Sequence, residues 1–578
     1  MKQSNFTAAL TTVALTLAVA AGVTRSAWAQ GLGASAQGPA ASGPEAERAR
    51  LAEIARGAAQ QFETSRLNLN ADQTRTATSA VPAGTETPLT LNDATTRALE
   101  RNLELGVERL NPQTFDLQIA RLAAVYRPTA VSTIGQQSRL QTPTSTLNGG
   151  TIVDLDTTTY NTGLNQAFRW TGTQVSFTFN NQKQVTNNLN ANFNPSYQNS
   201  FSLVANQPLL RGFRIDNNRQ QLLVTAINRD ISEIQLRGTI ATTLASVRNT
   251  YWELVYGIQS VEVARGSLAL AEKLVEDNRA RVEVGTLAPL DVVQSEAETA
   301  TRRQALAQAE ATWRTSELAL KRLIVSGTDD PLWRASINPT DRPTFDPQPL
   351  DVEGAVRKAL EVRTDLEQGR RTVASNDFTL RFMRNQTLPQ LDLNATYGAA
   401  GLGGTQYRRT GSGVTSTIIG TVPGGYADAF RALTGRDFPN WNLQLNLSYP
   451  IGGGAADAAL ARGRVQRNQS AAQLRALELQ VATDVTNAAL QVENGLKRYE
   501  AATVARSLAQ TRLEAEQSRF DVGLSTNFFV VQAQRDLATA QNSELRALLD
   551  YRRAGVDYAR AQEAPANRGA NITTVTGN

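Results

Sequence analysis

Strict alternation of apolar and polar residues marks several short segments of the chain. Trp441, Leu443, Leu445, Leu447 and Tyr449 interleave with Asn442, Gln444, Asn446 and Ser448. Leu391, Leu393, Ala395 and Tyr397 interleave with Asp392, Asn394 and Thr396. A period of two places each set on one face of a strand. One face is amide and hydroxyl, and the other is apolar and ends in aromatics. That is the pattern of a barrel wall between lipid and a watery lumen; an ordinary half-buried sheet is the alternative. Corresponding strands are expected at 129–140 and 198–207. Two more alternating pieces, 159–168 and 174–180, flank a turn at Thr171-Gly172-Thr173. They either extend the barrel or form a hairpin in an external loop. The Asn-rich stretch 180–199 and the Gly/Thr-rich stretch 399–421 read as long surface loops.

Elsewhere the period changes. Residues 217–282 and 455–520 contain no proline and are dominated by helix-favouring residues. Each predicts a helix of about 65 residues, on the order of 100 Å long. Shorter helices are expected at 290–325 and 527–560. Leu474, Leu477, Val481, Val485, Ala488 and Val492 step by threes and fours, as coiled-coil packing requires. Gly285 and Gly523 sit where a helix would end in a left-handed residue, and Pro289 where the next would begin.

These elements occur twice. Ala94, Ala98, Leu99, Glu100 and Leu105 recur 261 positions later as Ala355, Ala359, Leu360, Glu361 and Leu366, and Pro128 recurs as Pro389. Further along, Arg281-x-x-Val284-Gly285 recurs 238 positions later as Arg519-x-x-Val522-Gly523, and Val292-Val293-Gln294 as Val530-Val531-Gln532. The expected organisation is a signal peptide at 1–29, a low-complexity extension at 30–88 with a helix within 44–62, and a first repeat at 89–326. A Pro-rich linker at 327–349, a second repeat at 350–561 and a disordered tail at 562–578 complete it.

Composition narrows the function. Lys2, the apolar run 8–23 and Ala27-Trp28-Ala29 read as a secretory signal cleaved after Ala29, with a retained anchor as the alternative. Beyond it no apolar run is long enough for a membrane helix. An exported chain of this kind is either soluble or a barrel. The 578 residues include no cysteine and no histidine. Disulfides, thiol chemistry, hydrolase triads and the commonest metal ligands are therefore excluded, and no catalytic, metal or cofactor site is expected. The net charge of +5, with no basic stripe interleaved with aromatics, gives no sign of nucleic acid.

Four principal strands cannot close a barrel, since about eight is the smallest number seen. The barrel must be shared between chains, and three chains would supply twelve strands. In this order, twice over, the residues resemble the TolC-like outer-membrane efflux protein family. The resemblance spans about 89–561. It rests on the proline-started strands at Pro128 and Pro389, and on the strand-to-helix junctions Gln207-Pro208-Leu209-Leu210-Arg211-Gly212 and Tyr449-Pro450-Ile451-Gly452-Gly453. The turns Val284-Gly285-Thr286 and Val522-Gly523-Leu524 complete it. It implies a mixed α and β membrane protein: a homotrimer whose twelve-stranded outer-membrane barrel, four main strands per chain, continues into a long periplasmic α-helical barrel. It further implies docking onto a periplasmic adaptor and an inner-membrane pump or exporter, for efflux or type I secretion.

Carried over by motif, the adaptor-facing tips are Arg281, Gly285, Ala288, Arg519, Gly523 and Thr526. Asp291 matches an acidic position at the family's constriction. Phe529 and Gln532 stand where some relatives carry aspartates, so Phe529 either forms an apolar constriction or packs between helices. Trp441, Leu443, Leu445, Leu447 and Tyr449 would face lipid, and Asn442, Gln444, Asn446 and Ser448 the lumen. A coiled-coil structural or adhesive surface protein is the competing reading. A periplasmic adaptor is a third, opposed by the duplicated lipid-facing strands.

Overall fold

The computed structural model describes residues 86–142, 152–188, 190–342, 345, 347, 349–411 and 417–565, with residue 56. The signal peptide, nearly all of the extension and of the helix expected within it, and the tail beyond 565 lie outside the described residues.

The first copy opens with β1 (Glu86–Leu89), α1 (Leu91–Arg101) and α2 (Leu103–Ala124). Four strands follow: β2 (Thr129–Gln141), β3 (Val153–Ala167), β4 (Gln174–Thr186) and β5 (Phe193–Pro208). A helical hairpin, α3 (Asn217–Glu283) and α4 (Pro289–Ile324), ends the copy. The Pro-rich segment holds one helical turn, α5 (Pro331–Arg334), and β6 (Ser336–Pro339). The second copy runs α6 (Val352–Val362), α7 (Thr364–Gln386), β7 (Gln390–Thr410), β8 (Thr417–Val422), α8 (Tyr426–Gly435), β9 (Phe438–Ser448), α9 (Ala455–Asp521) and α10 (Asn527–Ala561).

Local chemistry explains why the two copies start alike. Thr90 caps α1 by accepting the Asp93 N–H, and Asp351, 261 positions on, caps α6 by accepting the Gly354 N–H. Ala94 and Ala98 in α1, and Ala355 and Ala359 in α6, are buried. The guanidiniums of Arg109 and Arg370 donate to the Leu99 and Leu360 carbonyls, closing the same bend twice.

Each long helix packs along its shorter partner, and the apolar series of α9 lies where its spacing requires. Val481 and Val485 are fully buried, with Leu474, Leu477 and Ala488 packed against that cluster. At one level in each hairpin the backbones come together. A Cβ at Gly257 would lie 3.0 Å from the Trp313 Cα, and one at Gly495 would lie 3.2 Å from the Tyr551 Cα. These two pairs are themselves 238 positions apart. The linker joins this core: β6 pairs in parallel with β1, and the Phe345 ring lies tilted against those of Tyr499 and Tyr551.

All other strands among the described residues form one antiparallel sheet in the order β2-β3-β4-β5-β7, with β9 on the other side of β7 and β8 beside its far end. This corrects the expectation of four strands. The segments around 159–180 are two full strands, of 15 and 13 residues, inserted between β2 and β5. The loop expectations are corrected with them. Residues 180–186 belong to β4, 193–208 to β5, and β7 continues to Thr410. Threonine and asparagine on both faces conceal a strand from any apolar alternation, because the pattern reports burial rather than backbone pairing.

Candidate functional site

Two surfaces carry the residues singled out above. The first is the sheet. Residues directly opposite in neighbouring strands share a face, and the register yields one continuous row: Ala130, Leu164, Phe177, Leu203, Tyr397 and Trp441. The row below brings Val175, Ala205, Ala395 and Leu443 together, and Leu393 faces Leu445. Leu164, Phe177, Leu203 and Tyr397 are each about 40% exposed although they sit mid-sheet, and Trp441 is 76% exposed. Leu443, Leu445, Leu447 and Tyr449 are likewise open. The opposite face carries Asn442 against Thr396, Gln444 against Asn394, Asn446 against Asp392 and Ser448 against Gln390. An apolar band this wide on an exposed sheet would be anomalous in water. Further along the same face α8 lies on the strands. Gly401 and Gly403 admit its backbone, and the Tyr426 hydroxyl donates to Asn181 Oδ1 between the rings of Tyr160 and Tyr197.

The second surface lies at the helical turns. Gly285 and Gly523 have φ of 77° and 79°. In each copy the same paired bonds close the helix: the Thr286 N–H to the Arg281 carbonyl and Gly285 N–H to Val282, then Leu524 N–H to Arg519 and Gly523 N–H to Phe520. This is a Schellman cap, and it accounts for both the glycine and its distance from the arginine. Ala288 and Thr526 stand at the start of α4 and α10 without a side-chain capping bond.

The repeated arginines act differently. Arg281 crosses to the other hairpin, donating to the Phe520 carbonyl and Asp521 Oδ1 (2.8 Å) with its guanidinium 4.4 Å from the Phe520 ring centre. Arg519 stays on its own helix, paired with Glu516. Among the constriction candidates, Asp291 accepts a bond on its carbonyl from Asn527, so the starts of α4 and α10 touch. Phe529 is half exposed and sits edge-on to Phe528, so it is not buried between helices of its own chain. Gln532 donates to Asp536 one turn further along.

Two clusters lay beyond the sequence reading. Asn278 Nδ2 donates to Ser295 Oγ (2.7 Å) and Asn527 Oδ1 (2.9 Å) in a fully buried polar knot joining α3, α4 and α10. Glu298, also buried, takes Arg302 from its own helix and Arg535 from α10. Burial pushes its pKa up, but the two guanidiniums outweigh that and hold it below the ordinary carboxylate value. None of these residues repeats at the 238 offset, so self-comparison passes over them.

A one-faced apolar sheet that runs directly into two helices of about 100 Å defines a protein of the outer membrane. The chain belongs to the outer membrane efflux protein family, whose model matches residues 152–325 and 355–561. It is thus a transport protein of the outer membrane, in a family of efflux proteins and not of enzymes, which sets the adhesin reading aside. No curated protein matches the sequence. Solved structures share the fold at low identity. The outer-membrane channel OprN is 15% identical with a TM-score of 0.58, covering 82% of this chain and 89% of its own. The Campylobacter jejuni outer-membrane channel CmeC is 14% identical with a TM-score of 0.57, covering 82% and 85%. The open-state outer-membrane channel MtrE of Neisseria gonorrhoeae is 17% identical with a TM-score of 0.54, covering 82% and 88%.

Proposed function

We propose that three copies of this chain close into one barrel and one helical tunnel, forming a passive conduit from periplasm to exterior in a tripartite efflux or type I secretion system. The observation that carries this is the exposed apolar row from Ala130 to Trp441, backed by an amide-lined face, on a sheet with two open edges. Among the described residues β2 pairs only with β3, and β9 only with β7. In hydrocarbon each unpaired backbone group costs several kcal/mol, so β2 of one copy joins β9 of the next. No bond is made or broken in the cargo, and energy comes from an inner-membrane pump or exporter reached through a periplasmic adaptor.

The hairpin tips are the adaptor-facing end. Around Arg281, Gly285, Ala288, Arg519, Gly523 and Thr526 they expose Val284, Leu290, Val522 and Leu524, apolar side chains suited to a helical partner. Asp291, Phe529 and Gln532 narrow the tunnel there, with Phe529 facing its counterparts. The test is fractionation followed by native mass spectrometry. The conduit reading expects outer-membrane recovery and a mass of three chains. A soluble monomer overturns it.

A further inference from the structure

The inserted hairpin β3–β4 changes what such a conduit can pass. Its turn reaches the helix-side rim of the sheet. Arg219, near the start of α3, donates to the Trp170 and Gly212 carbonyls, and Gln207 at the end of β5 donates to the Thr171 carbonyl. The hairpin therefore descends to the level where β5 becomes α3 and is not confined to an external loop. Both strands exceed the roughly 9–11 residues that a tilted membrane strand needs. Their outward residues, Leu164, Val175, Phe177 and Phe179, continue the apolar band of β5, β7 and β9. On the same face the charged residues, Asp154, Asp156 and Lys183, appear only towards the far end. The opposite face of the pair is uncharged, with Thr157, Thr159, Asn161, Thr178, Asn180 and Gln182.

We propose that each chain puts six strands through the membrane, and that the trimer closes as an eighteen-stranded barrel. This rests on the trimeric reading above. Barrel diameter grows roughly linearly with strand number, so the outer-membrane section is about 1.5 times as wide as a twelve-stranded one, and roughly twice its cross-section. Only β2, β5, β7 and β9 connect to helices below, so the widening is confined to the membrane. The cargo limit then lies in the helical tunnel, and the barrel passes any hydrophilic solute or chain that the tunnel admits.

The test uses the cysteine-free full-length chain. Ser132 and Thr162 are direct partners across β2 and β3 on the lipid side. The pair S132C and T162C is expected to cross-link in outer-membrane vesicles without changing the trimer's native mass. An electron cryo-microscopy map in nanodiscs is expected to show eighteen strands. Deleting residues 143–192 is expected to lower the size limit for polyethylene glycols entering from the outer side. Twelve strands in the wild-type map, or an absent S132C–T162C cross-link in a protein of trimeric mass, overturns the inference alone. A monomeric mass overturns the trimeric reading instead. Should the deletion variant fail to insert, the strand count and the cross-link still decide.

Discussion

Glycine at 257 and 495 illustrates how much a hydrogen atom can matter in a helix. Mid-helix glycine costs about 1 kcal/mol against alanine, yet here it admits Trp313 and Tyr551 at backbone distance. Gly257→Val and Gly495→Val force those helices apart, and overpacking of this kind costs about 1–3 kcal/mol. Thermal melts of the purified protein should show each variant less stable than wild type. At Gly285 and Gly523 a Cβ would meet nothing within 4 Å, so alanine there pays only for the left-handed backbone, roughly 1–2 kcal/mol. Hydrogen exchange should show faster opening around the substituted turn and little change elsewhere. Glu298 supplies a pH dependence. Its folded pKa lies below the ordinary value of 4.5, so its ion pairs stabilise the tips above that value. The contribution is lost as pH falls through the lowered folded pKa. Melts across the acid range should lose that component in Glu298→Gln.

Strand faces set the next scale. Leu445→Arg puts a charge into the apolar band, where arginine costs about 2–4 kcal/mol at the membrane midplane, and outer-membrane recovery should fall sharply. Asn446→Arg, one residue on and on the opposite face, should still assemble. How far the elements could be read from sequence follows from the same faces. Trp441 to Tyr449 alternate between leucine and amide, and their sidedness was legible at once. Thr157-Thr158-Thr159 and Gln182-Lys183-Gln184 have no apolar side, so β3 and β4 were visible only near Leu164 and Phe177, where they cross the band. The turns Arg281 to Thr286 and Arg519 to Leu524 were legible because a Schellman cap needs its glycine at a fixed place. The buried knot of Asn278, Ser295 and Asn527 was not, since single polar residues on a long helix look like its solvated face.

For the whole molecule the decisive relation is between its two halves. Helices α3 and α9 each have 67 residues, and α4 and α10 have 36 and 35. Among the described residues the sheet ends show no such parity, for the first copy carries the long β3–β4 pair there and the second only the short β8. In the proposed trimer, one extra helical turn in a single copy would push its tip about 5 Å past the other and leave a ring of alternately long and short fingers. Docking through all the tips at once would therefore tolerate a change of length at this end only where both halves carry it. A chimaera built with a foreign hairpin must exchange both.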